Sequence, residues 1–254
     1  MSDEVLTEAD GGVLLITLNR PEARNAVNAA VARGVAEAVD RLDADDALQV
    51  GILTGAGKGF CSGMDLKAFV AGERPHVEGR GFAGLVQRGP RKPLIAAIEG
   101  FAVAGGFEVA LGCDLIVAAR GARLGIPEAK RGLIAAGGAL IRLPKRMPYH
   151  LAMELALTGD PIDAERAHAI GLVNRLAEPG QALAVARELA AAVAANGPLA
   201  IAASKQVLSA AVDWSEEEAW ERQGELADRV FHSEDAREGA TAFAEKRDPV
   251  WKGR

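Results

Sequence analysis

Short apolar runs closed by glycine or proline fill the first half of the chain. VLLITL, Val13 to Leu18, ends at Asn19-Arg20-Pro21 and predicts a strand. QVGILTG (Gln49 to Gly55), PLIAAIEG (Pro93 to Gly100) and LIVAA (Leu115 to Ala119) predict three more, each apolar enough for burial. Between the first two, Val27, Val31, Val35, Val39 and Leu42 recur at helical spacing, which predicts a helix over Asn25 to Leu42. Strands alternating with helices suit an α/β fold with crossover connections. Arg74 to Gly89 is rich in Gly and Arg, has no period, and reads as a mobile loop or a short irregular helix.

The second half changes period. Pro148 to Leu157, Asp163 to Ile170 and Ala182 to Ala195 read as helices, the middle one with Asp163 as N-cap and Gly171 just past its end. After the break at Asn196-Gly197-Pro198 come three more: Leu199 to Ala211, Trp214 to Phe231, and Glu234 to Ala244 with Ser233 as N-cap. The shift near residue 196 divides the chain into an α/β core, 1–195, and a helical C-terminal region, 196–254.

Composition narrows the class. A chain of 254 residues, 49% hydrophobic and 25% charged, can bury a substantial core, which excludes intrinsic disorder. The 29 basic and 35 acidic residues leave a net charge of −6, against bulk attraction to nucleic acid or anionic membrane. No apolar stretch is long enough to span a bilayer, and the acidic start MSDEVLTEADGG is unlike a targeting segment. Two cysteines, Cys61 and Cys113, make no disulfide framework, so a reduced, cytoplasmic protein is expected.

Several motifs fail their own tests. The four histidines, His76, His150, His168 and His232, show no ligand spacing, so no metal site is expected. GAGKG (Gly55 to Gly59) follows a strand, but no Ser or Thr follows Lys58, and Phe60 stands where a dinucleotide loop needs its third glycine. Gly59 to Gly63 matches a cysteine version of the hydrolase elbow, yet the strand ends too early, so Cys61 reads as a buried structural thiol.

Three segments taken together carry chemistry: GKGFCSGMDLK (Gly57 to Lys67), EGFAVAGGFEVALGCDLIVAA (Glu99 to Ala119) and LGIPEAKRGLIAAGG (Leu124 to Gly138). The last two each set one glutamate, Glu108 and Glu128, among apolar residues, a costly placement unless the acid is paired, neutral or functional. Gly105-Gly106 opens a helical run in which backbone can approach a ligand and free N–H groups point outward. Pro127-Glu128 opens a second short helix. Two carboxylates beside such donors can move protons while an oxygen gains negative charge. The bland alternative is two helix-end carboxylates satisfied by backbone.

At these residues the chain resembles the crotonase superfamily, in particular its enoyl-CoA hydratase branch. The resemblance runs from about Val13 to the C-terminus and rests on five motifs in order: LNRPEARNAV, CSGMDLK, AGGFEVALGCDL, IPEAKRGL and AFAEKRDPVW. It implies a crotonase-like spiral of ββα units carrying the acyl-CoA site, followed by an all-helical oligomerisation region, with trimers that pair into hexamers. It implies that the N–H groups of Met64 and Gly105 form an oxyanion hole, and that Glu108 and Glu128 are the catalytic acids. Arg24, Ala26, Asp65, Leu66 and Lys67 would line the coenzyme A channel, and Phe243 and Lys246 would reach coenzyme A on a neighbouring subunit. No cofactor is implied, since coenzyme A belongs to the substrate.

One departure stands out. The family often carries Pro-Gly and then Gly-Gly after the second glutamate, where a glycine N–H helps to hold water. Here the stretch reads Ala135-Ala136-Gly137-Gly138, which leaves that task to Ala136 and alters the pocket floor. The expected reaction adds water at C3 of a 2-enoyl thioester, Glu108 activating the water and Glu128 protonating C2. A carnitinyl-CoA dehydratase, an enoyl-CoA isomerase, and a non-catalytic acyl-CoA or RNA-binding relative are the alternatives.

Overall fold

The computed structural model describes residues 3–254, so Met1 and Ser2 of the acidic N-terminal stretch lie outside the described residues. In chain order the strands begin with β1 (Val5–Asp10), β2 (Val13–Leu18), β3 (Val50–Gly55), β4 (His76–Val77) and β5 (Gly81–Phe82). They continue with β6 (Leu94–Ile98), β7 (Phe101–Val103), β8 (Leu115–Ala119), β9 (Arg123–Gly125), β10 (Ile162–Asp163) and β11 (Arg175–Ala177). The helices of the first part are α1 (Ala29–Ala44), α2 (Leu66–Val70), α3 (Gly105–Gly112), α4 (Ala139–Arg146) and α5 (Tyr149–Thr158). Then come α6 (Ala164–Ala169), α7 (Ala182–Ala194), α8 (Pro198–Ala210), α9 (Glu216–Phe231) and α10 (Glu234–Glu245).

The main sheet has the order β1-β2-β3-β6-β8-β11. Only β1 and β2 pair antiparallel, across a turn whose Gly11 and Gly12 both have positive φ; the remaining neighbours are parallel. Alternate side chains feed two cores. Leu14, Ile16 and Leu18 enter the larger one, and Val13 and Leu15 face α7 on the other side. There α7 presents Ala182, Ala186 and Ala190, small residues at one-turn spacing that let the helix lie close to the sheet. A second sheet, β10-β9-β7, sets β7 and β9 parallel, and it positions the site.

The strands predicted from apolar runs are present: β2 and β8 match their runs, β3 starts one residue later, and β6 loses one residue at its start and two at its end. The first helix starts later than predicted, at Ala29, because Arg24 and Asn25 both take left-handed backbone (φ 54° each), which a helix cannot contain. Asn28 caps it by accepting from the Val31 N–H at 2.9 Å. Arg74 to Gly89 is neither a mobile loop nor a helix. It forms the β4–β5 hairpin, buries Phe82, Leu85 and Val86, and holds a buried Arg80 against Asp40 and the Arg88 carbonyl. The segment shows no period because a few long-range contacts anchor it rather than an amphipathic face. Asp163 and Ser233 cap α6 and α10 as expected, accepting from the N–H groups of Arg166 (2.7 Å) and Ala236 (3.0 Å).

In the C-terminal region α8 and α9 bury no residue completely, and Trp220, Phe231 and Phe243 are exposed. The tail returns to close the chain. Arg247 holds Glu238 through two oxygens at 2.6 and 3.0 Å, and the Trp251 indole donates to the Ala195 carbonyl at 2.9 Å. Among the described residues no helix is long and apolar enough to cross a membrane.

Candidate active site

Two parallel strands deliver the two glutamates. Val103 at the end of β7 is paired with Gly125 at the end of β9, and the Ala104 N–H donates to the Gly125 carbonyl at 2.9 Å. Past β7 the chain turns at Ala104 into α3, which carries Glu108 in its first turn. Past β9 it turns at Ile126 into a 3-10 helix, Pro127–Arg131, which carries Glu128. Chain reversal at adjacent strand ends thus brings together two acids that are twenty positions apart in sequence.

Ala104 has φ 52° and ψ −133°, a strained conformation for a residue with a side chain. The strain aims the start of α3 at the segment Cys61 to Asp65. That segment is pinned on both edges: Cys61 bridges to Ala102, and Val27 bridges to Met64. Glycine is obligatory at the contact. A Cβ on Gly63 would lie 2.9 Å from the Gly105 nitrogen, and one on Gly106 would lie 2.2 Å from the Cys61 carbonyl oxygen. The Val27 N–H and C=O are taken up by the Gly63 carbonyl and the Asp65 N–H. Among the described residues, neither the Met64 N–H nor the Gly105 N–H finds a protein acceptor. The buried Phe82 ring covers Gly105, close enough that a Cβ there would meet it at 2.6 Å.

Glu108 is only 3% exposed. Its Oε1 accepts from the Ala139 N–H at 3.1 Å, and a Cβ on Gly137 would lie 2.5 Å from its Oε2. Burial pushes its carboxyl up from 4.5 to about 7; the Ala139 and Gly137 N–H groups and the Arg142 charge pull it back, while Glu128 pushes it further. Glu128 is half-buried and also raised, chiefly by burial, and its Oε2 is buried with no hydrogen-bond partner. A buried acceptor left open in this way is a place for a donor that the chain itself does not supply.

The residues expected along the coenzyme A channel and the pocket floor fall into three groups. Arg24, Ala26, Asp65, Leu66 and Lys67 lie around the Met64 segment: the Ser62 N–H donates to the Arg24 carbonyl, and the Arg20 guanidinium joins the Ala26 carbonyl (2.7 Å) to Asp65 (3.0 Å). The Asp65 carboxylate caps α2 through the N–H groups of Lys67 and Ala68. Arg24, Leu66 and Lys67 are exposed. Ala136 sits exposed one residue before Gly137, beside Glu108. Phe243 and Lys246 are exposed on and just after α10, which packs on α9, so both are open to a second copy of the chain.

Sequence reasoning missed the residues that hold Glu108, namely Gly137 and Ala139, together with Arg142. The only local signal was the Gly137-Gly138 pair, whose second member has φ 105° and caps α4. Cys61 is the structural thiol expected: it is buried, donates to the Asn25 carbonyl at 3.0 Å, and is pushed up to about 12 by burial. Among the described residues no group of His, Cys, Asp and Glu could hold a metal ion. A cleft of about 890 Å³ between α8, α9 and the Pro90–Pro93 turn contains neither glutamate.

The chain is similar to known proteins along nearly its whole length. Residues 8–254 match the family described as Enoyl-CoA hydratase/isomerase. The crystal structure of enoyl-CoA hydratase EchA1 from Mycobacterium marinum matches with a TM-score of 0.98 and 59% identity, covering 100% of both chains. The chain is 44% identical to enoyl-CoA hydratase EchA19 of Mycobacterium tuberculosis, over 99% of this chain and 97% of that one. It is 43% identical to carnitinyl-CoA dehydratase of Proteus mirabilis, over 100% of both. The sheet-and-helix architecture is that of these structures, the motifs lie inside the matched range, and the chain belongs to the enoyl-CoA hydratase/isomerase family.

Proposed function

We propose that the protein catalyses reversible addition of water across the C2–C3 double bond of a 2-enoyl-CoA thioester. The observation that carries this reading is that Glu108, within reach of the Glu128 charge, stands in the first turn of the helix that begins at the unpartnered Gly105 N–H, with the Gly63-Met64 segment packed against that nitrogen. The thioester oxygen takes the two N–H groups. Water adds to C3, its departing proton goes to Glu108, and C2 takes a proton from Glu128. As the C3–O bond forms, electron density moves onto the thioester oxygen, so the hole binds the transition state more tightly than the substrate. Losing one such donor costs about 3–4 kcal/mol of transition-state stabilisation.

Electrostatics suits both acids to proton exchange. Each ionised carboxylate raises the cost of ionising the other, so the pair gives up its first proton more readily than its second. Burial raises both carboxyls, Glu108 to about 7, so proton uptake and release at this site fall closer to neutral pH than for ordinary glutamates. A second acid next to the first favours hydration over isomerisation, for which one suffices. Dehydration of a 3-hydroxyacyl thioester such as carnitinyl-CoA uses the same groups in reverse and is the second reading, given relatives of that name.

Arg24 and Lys67 supply exposed positive charge for the coenzyme A phosphates, and Ala136 supplies an N–H at the pocket floor. We assign residues 1–195 to the catalytic core and 196–254 to association into trimers or pairs of trimers, on the exposed Trp220, Phe231 and Phe243. We place the protein in the cytoplasm on its two free, buried thiols. Loss of enoyl-thioester absorbance with crotonyl-CoA tests the activity, and a panel including carnitinyl-CoA separates the two readings. No turnover of any enoyl-CoA would overturn the proposal. Light scattering showing a monomer at micromolar concentration would overturn the assembly.

A further inference from the structure

Arg142 lies on α4, three residues after Ala139, and points back toward the site. Among the described residues its hydrogen bonds go only to backbone carbonyls: Nη2 donates to Val86, and Nη1 lies 3.5 Å from the Gly137 oxygen. Gly138 makes room for it, since a Cβ there would meet Nη1 at 2.2 Å. A half-buried guanidinium with no carboxylate in hydrogen-bond contact is costly, so its gain must come from what it joins. One carbonyl belongs to the turn whose Gly137 and Ala139 hold Glu108. The other ends the segment whose Phe82 covers Gly105.

Charged and titratable groups around it are few. Arg146, on the same helix, is occupied by the Leu111 carbonyl at 2.6 Å. Cys113, at the end of α3, is buried and held neutral, its thiol pushed far up by desolvation. Glu108 is the acid whose field reaches Arg142, and Glu128 stands behind it.

We propose that Arg142 is a positioning residue of this site: it ties the turn under Glu108 to the wall beside Gly105, and its charge supports ionised Glu108. This rests on the hydratase reading, but its test does not rest on turnover alone. With crotonyl-CoA, Arg142→Met should lower kcat by about 10-fold or more while KM changes little, as expected for misplaced catalytic groups. The pH midpoint of kcat/KM should rise by about half a unit to one unit, because the neighbouring cation is gone. Arg142→Lys should restore the midpoint but not kcat, since an ammonium lacks the planar fork that reaches two carbonyls.

A stability cycle needs no substrate. At pH 8, Arg142→Met should lower Tm more in the wild-type background than in Glu108→Gln, by roughly 2 °C or more. Unchanged kcat and midpoint in both variants would overturn the proposal, and so would equal Tm losses in the two backgrounds. If Arg142→Met does not fold, Arg142→Lys decides: full kcat overturns the proposal, and reduced kcat at a preserved midpoint supports it. Absence of wild-type turnover alongside a positive cycle would refute the hydratase reading and leave the Arg142–Glu108 coupling standing.

Discussion

Glu108→Gln should remove hydration and yet stabilise the fold above neutral pH. In the folded chain burial holds the carboxyl at about 7 instead of 4.5. Between those values the folded state keeps a proton that the unfolded chain has lost, so stability falls as pH rises through the window. At about 1.36 kcal/mol per tenfold change in proton affinity, ionising Glu108 costs the fold about 3 kcal/mol by pH 8. Glutamine carries no charge and escapes that cost. It keeps the Ala139 N–H on its oxygen but turns an NH2 toward Gly137, a mismatch worth about 1 kcal/mol at every pH. The variant should therefore be more stable by about 2 kcal/mol at pH 8, roughly 4–8 °C in Tm for a chain of this size. At pH 5 the two effects nearly cancel. Thermal unfolding followed by circular dichroism at pH 5, 6.5 and 8, at one protein concentration, reads the difference. A variant less stable than wild type at pH 8, or a gain of equal size at pH 5 and pH 8, would refute the argument. In the same samples kcat on crotonyl-CoA should fall by at least about 10²-fold.

Three further outcomes follow from the site. Glu128→Gln should also lose about 10²-fold or more in kcat, and the double variant far less than the product of the two; a near wild-type rate for either single change removes that residue from the mechanism. Gly105→Pro, which deletes the N–H, should nearly abolish turnover, whereas Met64→Ala, which keeps it, should do little; equal losses in two folded variants would show that the methionine side chain, not the backbone, matters. Gly137→Ala places a methyl 2.5 Å from Glu108 Oε2 and must displace the carboxylate, so kcat should drop about 10- to 10²-fold with KM nearly constant. Unaltered kinetics in that variant would mean that the turn can yield without moving Glu108.

What the sequence determined by itself was local or carried by motif. Continuous apolar runs required buried strands, Asp163 and Ser233 marked helix starts, and five motifs in order identified the family before any geometry was known. Helix α1 shows where local reading stops. Its apolar spacing extends back to Val27, but Asn25 is held in left-handed backbone by side-chain bonds to Arg20, Ala56 and Gly59, and distant partners override the pattern. The hairpin β4–β5, the clamp of Gly137 and Ala139 on Glu108, and the reach of Arg142 to the Val86 carbonyl were likewise invisible. Their meaning lies in what a Cβ or a guanidinium meets across the fold, and no period or cap encodes that. Only the tertiary structure shows how Glu108 and Glu128 come within reach of each other's charge. The parallel register of β7 and β9, Val103 against Gly125, is a long-range backbone pairing, and it converts twenty positions of sequence into adjacent chain reversals.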